Sequence, residues 1–514
     1  MQKFAKNILL PLVLVSLLIY ILQQYDESSR GYCRNCNVIL IDIDSLRADG
    51  LPCSGYSRNT TPNICSLASK SSIFRKNISQ YFYTLPSMYS TITGLYPGAH
   101  HVFNSYADAL NPQILTMAQY LKDFGYKTCY AGLSDYTTLS KESGGLRGFD
   151  CVLSQIEQVS GWRSVIESLS KEKKPFFVHF YVNDLHMPYT LPANIEPLWR
   201  VEKPKGFPVT WEEFESSLAD YLSWNYSWIF TDSAIKKHPD LFFSNDPDRK
   251  DKLLKYFNFD LYPEDEARLK QSWIPIYNSY TRYVNIKNPD SVLFLRTLYD
   301  TKLALLDRDL GDFFDFLRVS KLLKNTVIVI ASSHGEEFGE HGSFAHQNLF
   351  YQELINTPLI IYNPKIKDNR FITSITRNID ILPTVIEILG QKVTGKIQGK
   401  SLLSIMLGKS ETNIKYAVSG DLRVGERGAS IQDERWKLIV PYSKEKDLEL
   451  YDLLLDPREQ NNAALTFPEK AKEMLSPLKE ILKESDGLFE RVPLVVPKWI
   501  DKETKERLIR QGYF

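Results

Sequence analysis

The amino-acid sequence predicts an α/β fold in which helices flank a central, mostly parallel β-sheet. Apolar runs of strand length alternate with helical patterns, and the first run, residues 38–44, contains the carboxylates Asp42 and Asp44 at its end. Buried parallel strands read as continuous apolar runs, and ligands bind at their carboxyl ends. The other strand-like runs are 127–132, 175–182, 325–331 and 357–362, and the helical patterns lie near 112–124, 161–169, 298–323 and 380–389.

The composition is that of a large globular protein. The 514 residues are 43% hydrophobic, which is enough for an extended core. The 62 basic residues balance the 62 acidic ones, so bulk charge gives no reason to expect nucleic acid as a partner. Six cysteines are sparse for this length and predict at most one or two disulfides. Cys33 and Cys36 form a lone C-x-x-C pair, interpreted as a local disulfide or two free thiols rather than a zinc site.

The N-terminus has the pattern of an export signal. Residues 1–7 carry Lys3 and Lys6, and residues 8–22 contain no charged side chain. No small-residue cleavage site follows, so we predict an uncleaved transmembrane anchor over 8–22 and a linker over 23–36. The lysines favour a cytoplasmic N-terminus, which makes this a single-pass membrane protein with its remaining residues outside.

Two changes of pattern divide the rest of the chain. The α/β core predicted over 37–410 is interrupted at about 195–290 by a polar, aromatic-rich segment, interpreted as an inserted helical lid. This segment carries five of the eight tryptophans, namely Trp199, Trp211, Trp224, Trp228 and Trp273. They either pack in a small core of their own or form a sugar-stacking platform. Residues 411–490 predict a small C-terminal α+β subdomain, followed by a tail over 491–514.

The segment that begins at Thr84 places hydroxyl groups beside a predicted helix N-terminus. Thr84 is followed by Leu85 and Pro86, and proline suits the first helical turn. Free backbone N–H groups and the positive end of the helix dipole would face an anion beside Thr84. In the alternative interpretation, Thr84 simply caps the helix.

Polar clusters lie at four places where predicted strands end. Singly, each has a structural explanation, because a histidine there is often only hydrogen-bonded and an aspartate often caps a turn. Together they suit a divalent cation that neutralises a sulfate or phosphate ester. The clusters are Asp42 with Asp44 and Ser45, Thr84 to His100, His186, and His334 to His346.

These motifs, in this order, resemble those of the sulfatases of the alkaline phosphatase superfamily over most of residues 37–462. Asp44-Ser45-Leu46-Arg47 resembles the family's opening strand and loop. Thr84-Leu85-Pro86-Ser87, with Thr93-Gly94 and Tyr96-Pro97, resembles its nucleophile motif. Ser333-His334-Gly335-Glu336 resembles its second metal strand. The resemblance implies the alkaline-phosphatase-like sulfatase fold.

The resemblance also implies a role for each matching residue. Asp44 and His334 would bind a divalent cation, Ca²⁺ by family with Mg²⁺ or Mn²⁺ as alternatives. Thr84 would occupy the nucleophile position. Three histidines would hold the ester oxygens or assist the leaving group: His100, His186 and His346.

The sequence departs from the family pattern at this site. The family makes formylglycine from Cys or Ser, whereas oxidation of Thr84 would give a ketone, so no formylglycine is expected. Met88 replaces an arginine that orients that group. Ser45 and Ser333 stand at metal-binding positions that normally hold carboxylates, so metal affinity is expected to be weakened or lost. Two sources of compensating charge are open: Asp42, two residues before Asp44 on the same face of the strand, and Glu336 or Glu337, which follow His334.

Three functional hypotheses follow. The leading one is a membrane-anchored, outward-facing, metal-dependent hydrolase of sulfate or phosphate esters, whose substrate is a small molecule, glycan or lipid. The second is a phosphoryl-type transferase that uses Thr84 as nucleophile. The third is a catalytically inactive protein that keeps the sulfatase fold as a binding module. Metal analysis separates them, because both enzyme hypotheses need a divalent ion.

Overall fold

The computed structural model describes residues 32–103, 108–134, 138–156, 158–210, 212–214, 285–346, 350–367, 369–409, 414–422, 428–441 and 448–493. The anchor predicted over 8–22 and most of the insertion, including Trp211, Trp224, Trp228 and Trp273, lie outside these residues. Within the described ranges, none of the helices combines the length and the apolar character that crossing a membrane requires.

Strands and helices alternate over the α/β core, as the sequence predicts. The strands are β1 (Asn37–Ile43), β2 (Ser72–Ile78), β3 (Asp108–Ala109), β4 (Lys127–Ala131), β5 (Cys151–Leu153), β6 (Phe176–Val182), β7 (Thr326–Ala331), β8 (Glu337–Phe338), β9 (Phe344–Ala345), β10 (Asn356–Tyr362), β11 (Arg370–Arg377), β12 (Ala417–Asp421), β13 (Gly428–Gln432), β14 (Trp436–Pro441), β15 (Glu449–Asp452) and β16 (Val492–Pro493). The helices are α1 (Pro62–Ala68), α2 (Thr84–Thr93), α3 (Pro97–His100), α4 (Met117–Asp123), α5 (Trp162–Leu169), α6 (Pro289–Val319), α7 (Gln352–Ile355), α8 (Ile381–Ile388), α9 (Leu403–Met406) and α10 (Pro468–Asp486).

The central sheet has eight strands in the order β11-β2-β10-β7-β1-β6-β4-β5. The strand β1 pairs in parallel with β6 on one side and with β7 on the other. The strand β10 is antiparallel to both of its neighbours, β2 and β7, and the remaining pairs are parallel. Seven strands therefore run in one direction, which confirms the mostly parallel sheet.

Alternation along β1 divides the core into two layers. Ile39, Ile41 and Ile43 pack in one cluster with side chains of α1, α5 and α6. Val38 and Leu40 face a second cluster with side chains of α4, α8 and α9. Successive side chains of a strand point to opposite faces, so both faces of the sheet are covered by helices.

A second, four-stranded antiparallel sheet, β12-β13-β14-β15, follows the α/β core. Helix α10 packs against it through Ala471, Met474, Leu478 and Leu482. This arrangement is the small C-terminal α+β unit that the sequence predicts.

The structure corrects the expected number of disulfides. All six cysteines are paired, as Cys33–Cys36, Cys53–Cys65 and Cys129–Cys151, so three bridges replace the one or two predicted. The prediction failed because Cys129 and Cys151 lie on adjacent strands, and their register opposite one another is not visible in the sequence. Cys33–Cys36 is the local disulfide, not a pair of free thiols.

Candidate active site

The carboxyl ends of β1 and β7 bring two of the predicted clusters together. Asp42 lies opposite Ala331 of β7 and Tyr181 of β6 in the strand register. Asp44 follows the end of β1, and its N–H donates to the Val182 carbonyl. Ser333 and His334 follow β7, so all three side chains emerge at the same edge of the sheet.

Thr84 lies at this edge as the first residue of helix α2. Its Oγ1 is 3.1 Å from Nε2 of His334 and 3.3 Å from Oδ1 of Asp44. The residue before it, Tyr83, occupies the cap position, and no side chain caps the helix. Thr84 therefore does not cap the helix, and its hydroxyl faces Asp44 at the end of β1.

The Asp44 carboxylate is the centre of the hydrogen bonds here. Its Oδ1 accepts from the Ser333 hydroxyl at 2.7 Å, and its Oδ2 accepts from the Tyr181 hydroxyl at 2.9 Å. Burial alone would raise the pKa of Asp44, but the charge and hydrogen bond of His334, with the Ser333 hydroxyl, hold this pKa well below its usual range. Asp44 is therefore ionised at neutral pH.

His334 has a fixed orientation. Its Nδ1 donates to the Gly335 carbonyl at 2.7 Å, so Nε2 points to Asp44 Oδ1, 3.1 Å away, and to Thr84. Burial lowers the pKa of His334, but the Asp44 carboxylate outweighs burial and raises it overall. An imidazole whose Nδ1 is held by a backbone carbonyl presents Nε2 as a proton acceptor or a metal ligand.

Two further imidazoles complete a group of three. The His346 ring lies 4.3 Å from that of His334 and 4.9 Å from that of His186, between ring centroids. The Glu336 carboxylate holds Nδ1 of His346 at 3.0 Å, and the Met187 carbonyl accepts from Nδ1 of His186 at 2.7 Å. Burial, followed by the neighbouring His346, lowers the pKa of His186 to about 4. Burial raises the pKa of Glu336 to about 7.

His100 is held against helix α2. Its Nδ1 accepts from the Val102 N–H at 3.1 Å, and its Nε2 lies 3.2 Å from the Pro86 carbonyl and 3.1 Å from the Ser90 hydroxyl. These contacts hold Nε2 against the helix that carries Thr84, while Nδ1 is held by the backbone at Val102. A role for His100 at the ester stays a prediction.

The remaining predicted metal residues make fewer contacts. Asp42 Oδ2 lies 3.6 Å from Nε2 of His179, and its Oδ1 has no hydrogen-bond partner among the described residues. Ser45 has a left-handed φ of 57°, and its buried hydroxyl also lacks a partner among the residues described. Asp42 is thus turned towards His179, and its contribution as a ligand stays a prediction.

Met88 supplies no charge to the site. It is fully buried in a cluster that includes Leu85, Tyr89, Tyr130 and Tyr181. The side chain therefore belongs to the core beneath the site, where a guanidinium group would be buried among apolar atoms.

These side chains could hold one divalent cation, but the ligand set carries little negative charge. Three contacts bring its members together: Thr84 Oγ1 lies 3.4 Å from Asp44 Oδ2 and 3.1 Å from His334 Nε2, and the Ser333 hydroxyl lies 2.7 Å from Asp44 Oδ1. Only Asp44 among them carries a formal negative charge. Ca²⁺ and Mg²⁺ are held mainly by carboxylate charge and oxygen donors, so this set would bind either ion weakly.

Two residues at the site were missed or left open by sequence reasoning. Tyr181 donates to Asp44, and Glu336 holds His346. Tyr181 alternates with His179 along β6, so polar atoms at every second position of an apolar strand were the available signal. Glu336 directly follows His334-Gly335, but the sequence could not tell whether it or Glu337 faces the site.

Comparison with known families gives two matches. The family described as Sulfatase matches residues 36–163 and 159–391. The family described as N-sulphoglucosamine sulphohydrolase, C-terminal, matches residues 339–486. The Sulfatase match covers Thr84 and the ends of β1 and β7, and the C-terminal match includes the four-stranded sheet.

Individual relatives extend over most of the chain. An N-acetylglucosamine-6-O-sulfatase of Bacteroides thetaiotaomicron is 24% identical over 94% of this chain and 92% of its own length. Arylsulfatase K of Gallus gallus is 25% identical over 87% of this chain and 82% of its own length.

Solved structures share the fold at lower identity. One, a protein in complex with its substrate D-glucosamine-2-N,6-O-disulfate, has a TM-score of 0.62 and 21% identity, covering 88% of this chain and 98% of that one. The phosphonate monoester hydrolase of Agrobacterium radiobacter has a TM-score of 0.59 and 18% identity, covering 91% and 98%. At these identities the likeness establishes the fold.

Proposed function

Because the chain belongs to the sulfatase family of sulfuric ester hydrolases, we propose that it hydrolyses sulfate or phosphate esters with the unmodified Thr84 hydroxyl as nucleophile. The observation that carries the proposal is the position of Thr84 Oγ1, 3.1 Å from His334 Nε2 and 3.3 Å from Asp44. An alcohol has a pKa far above neutrality and becomes a nucleophile only beside a base or a cation. Thr84 lies beside an imidazole and a carboxylate.

The reaction has two displacements. In the first, Thr84 gives its proton to the neutral His334 imidazole 3.1 Å away, Oγ1 bonds to the sulfur or phosphorus atom, the ester bond breaks, and the alcohol leaves with a proton from His346. In the second, water gives a proton to His346 and attacks the same atom. The bond from Oγ1 to that atom then breaks, sulfate or phosphate is released, and Oγ1 recovers its proton from His334. A divalent cation held by Asp44 and His334 would lower the pKa of the hydroxyl and neutralise charge on the ester.

The imidazoles divide the proton transfers at the leaving group. His346 is assigned the protonation of the leaving oxygen, because Glu336, 3.0 Å from its Nδ1, holds the ring within the group of three imidazoles. His186, with its pKa lowered to about 4, stays neutral at pH 7 and is suited to accept a hydrogen bond from the substrate. Beside Thr84, Asp44 supplies the negative charge and His334 is the group that can carry a positive one, so we expect discrimination between esters to rest mainly on shape and hydrogen bonds.

The proposed substrate is a sulfated sugar or another sulfated or phosphorylated small molecule. The relatives named above support it, since one is an N-acetylglucosamine-6-O-sulfatase and a structural neighbour holds D-glucosamine-2-N,6-O-disulfate. Threonine as nucleophile favours phosphate esters as the first assay, because a threonine nucleophile resembles the superfamily's phosphoryl transferases.

We place the protein at a membrane, anchored by residues 8–22, with the site outside the cytoplasm. Three disulfides support this location, because such bonds persist in oxidising compartments.

The test is a turnover screen of the purified chain with aryl sulfates, phosphate monoesters, phosphodiesters and phosphonates, with and without Ca²⁺, Mg²⁺ or Mn²⁺. Release of inorganic sulfate or phosphate by the wild type and its loss in T84A are expected. Transfer to an added alcohol instead of water would favour the transferase alternative. If neither the wild type nor T84A releases sulfate or phosphate from any of these esters, the proposal fails and the binding-module alternative stands.

A further inference from the structure

A second group of ionisable side chains lies apart from Thr84, where the C-terminal unit meets the α/β core. His341 follows β8, Glu353 lies on α7, and Glu459 follows β15. One ligand atom from each of the three residues lies within 4.8 Å of the other two. None of these residues has a part in the ester chemistry described above.

The His341 and Glu353 atoms that face each other lack hydrogen bonds. Nε2 of His341 and Oε2 of Glu353 are buried and have no hydrogen-bond partner among the residues described. They lie 3.5 Å apart, and their side chains are only 8% and 9% exposed. When His341 is protonated the two atoms form an ion pair at this distance, and a metal ion between them would satisfy both without that proton.

The local charge is negative even when the neighbouring cations are counted. Lys437 Nζ lies 2.7 Å from Glu459 Oε1, which pairs those two charges. Arg47 is shared between Glu340 and Asp49. Arg47 and Lys437 also attract Glu353. The carboxylates of Glu340, Glu353, Glu449 and Glu459 still outnumber the three groups that can carry positive charge, which are Arg47, Lys437 and His341.

From this geometry we propose that His341, Glu353 and Glu459 form a binding site for a divalent transition-metal ion of the Zn²⁺ class. One imidazole nitrogen and two carboxylates are typical zinc ligands, whereas Ca²⁺ and Mg²⁺ prefer oxygen alone. With metal–ligand bonds of about 2.0–2.2 Å, neighbouring ligands of a tetrahedral ion lie about 3.3–3.6 Å apart. The 3.5 Å between His341 and Glu353 meets that spacing, and Glu459 would have to move closer.

Lys437 does not exclude such an ion. A carboxylate has about four lone-pair sites, so Glu459 keeps acceptor capacity beside Lys437 and the Gln352 N–H, which donates to its Oε2 at 2.6 Å. In the absence of metal, a proton on His341 is the competing occupant, and its two neighbouring carboxylates raise the pKa of His341 despite burial. Metal binding would therefore release that proton.

The ion would tie the C-terminal unit to the segment that carries the catalytic imidazoles. The Glu353 carbonyl accepts from the Glu336 N–H, and the Leu354 carbonyl accepts from the Gly335 N–H. His341 lies in the turn between β8 and β9, and His346 follows β9. The ion's role would be structural, holding this turn against the second sheet, and it does not depend on the ester chemistry.

The test is equilibrium dialysis of the EDTA-treated full-length chain against Zn²⁺, followed by metal analysis and thermal unfolding. The variants H341Q and E353Q remove one ligand each and leave the Lys437–Glu459 pair intact. The matched control H334Q removes an imidazole at the Thr84 site. A Co²⁺-loaded sample reports nitrogen and oxygen coordination in its visible spectrum.

We expect H341Q and E353Q each to bind one Zn²⁺ fewer than the wild type, or to bind that ion at least about tenfold more weakly, and H334Q to retain it. Zn²⁺ should raise the unfolding temperature of the wild type and H334Q, and not that of H341Q. Equal Zn²⁺ binding by H341Q and the wild type would overturn the inference. A loss of Zn²⁺ in H334Q alone, with H341Q and E353Q unchanged, would overturn it as well.

Discussion

The Thr84 hydroxyl lies 3.1 Å from Nε2 of His334, and the other nitrogen of that ring is committed to the Gly335 carbonyl. The imidazole therefore directs its second nitrogen at the threonine oxygen. This pairing predicts that Thr84→Ala abolishes turnover, because the bond-forming oxygen is removed. The free energy of unfolding should change by less than about 1 kcal/mol, since Asp44 keeps Tyr181, Ser333 and His334 as partners.

Thr84→Ser is the matched control, because it retains the hydroxyl and loses one methyl group. It should keep measurable activity on the ester that the wild type turns over. Steady-state kinetics and urea unfolding of the three proteins provide the comparison. Activity in T84A equal to that of the wild type would exclude Thr84 as nucleophile.

Ser333→Asp should exchange stability for metal affinity. The Ser333 hydroxyl lies 2.7 Å from Asp44 Oδ1, so the variant brings two buried carboxylates into contact. Without a cation, their repulsion should destabilise the fold by about 3 kcal/mol, and saturating Ca²⁺ should restore much of the loss. Thermal unfolding with EDTA and with Ca²⁺ measures both effects.

The double variant D44N/S333D is the control, because it returns the site to one formal negative charge. It should respond to Ca²⁺ no more strongly than the wild type does. A Ca²⁺ shift of the same size in S333D and in the wild type would mean that Ser333 does not face the cation position.

Glu337 predicts a pH-dependent stability. Burial raises its pKa from 4.5 to about 7, so the folded state holds a proton that the unfolded state loses above pH 4.5. The sign follows from linkage: the stabilisation is complete below pH 4.5 and is lost as the pH rises through 7. A shift of this size corresponds to about 3 kcal/mol.

Glu337→Gln should remove this pH dependence. In EDTA-treated protein, its free energy of unfolding should match that of the wild type at pH 5 and exceed it at pH 8, as measured by urea titration. Glu434→Gln is the control, because that carboxylate is exposed and pairs with Lys76 at the surface. An equal decline with pH in E337Q and the wild type would contradict the assignment.

The topology is tested on intact cells. Protease added outside should digest the chain, and alkaline carbonate should leave it with the membrane, because residues 8–22 form an apolar run without a cleavage site. Deletion of residues 1–31 should release an otherwise folded protein, since it keeps the Cys33–Cys36 disulfide and β1 of the central sheet. A mature chain that starts after Leu22 would identify the segment as a cleaved signal.

Strong apolar periodicity explains which elements could be predicted. The runs at 127–132, 175–182, 325–331 and 357–362 became β4, β6, β7 and β10 within about one residue at each end. Three further strands of the sheet, β2, β5 and β11, were missed, and β5 is only three residues long. Arg75 and Lys76 interrupt the apolar pattern of β2, and β11 is an edge strand with Phe371 exposed. The direction of β10 was also hidden, because pairing is a property of the fold and not of one segment.

The candidate site was predictable in its membership but not in its contacts. Motif order placed Asp44, Thr84 and His334 together. It could not show that Asp42 turns to His179, or that His100 lies against the backbone of α2. These outcomes depend on side-chain direction at the ends of elements, which periodicity does not determine.

The burial of Met88 has an evolutionary consequence. Its cluster includes Tyr181, whose hydroxyl donates to Asp44, so Met88 packs in the same buried layer as a residue that orients the acid. Met88→Arg alone would place a guanidinium among apolar side chains of this layer. An arginine at position 88 would therefore need accompanying substitutions in the cluster, which makes the change at this position hard to reverse in one step.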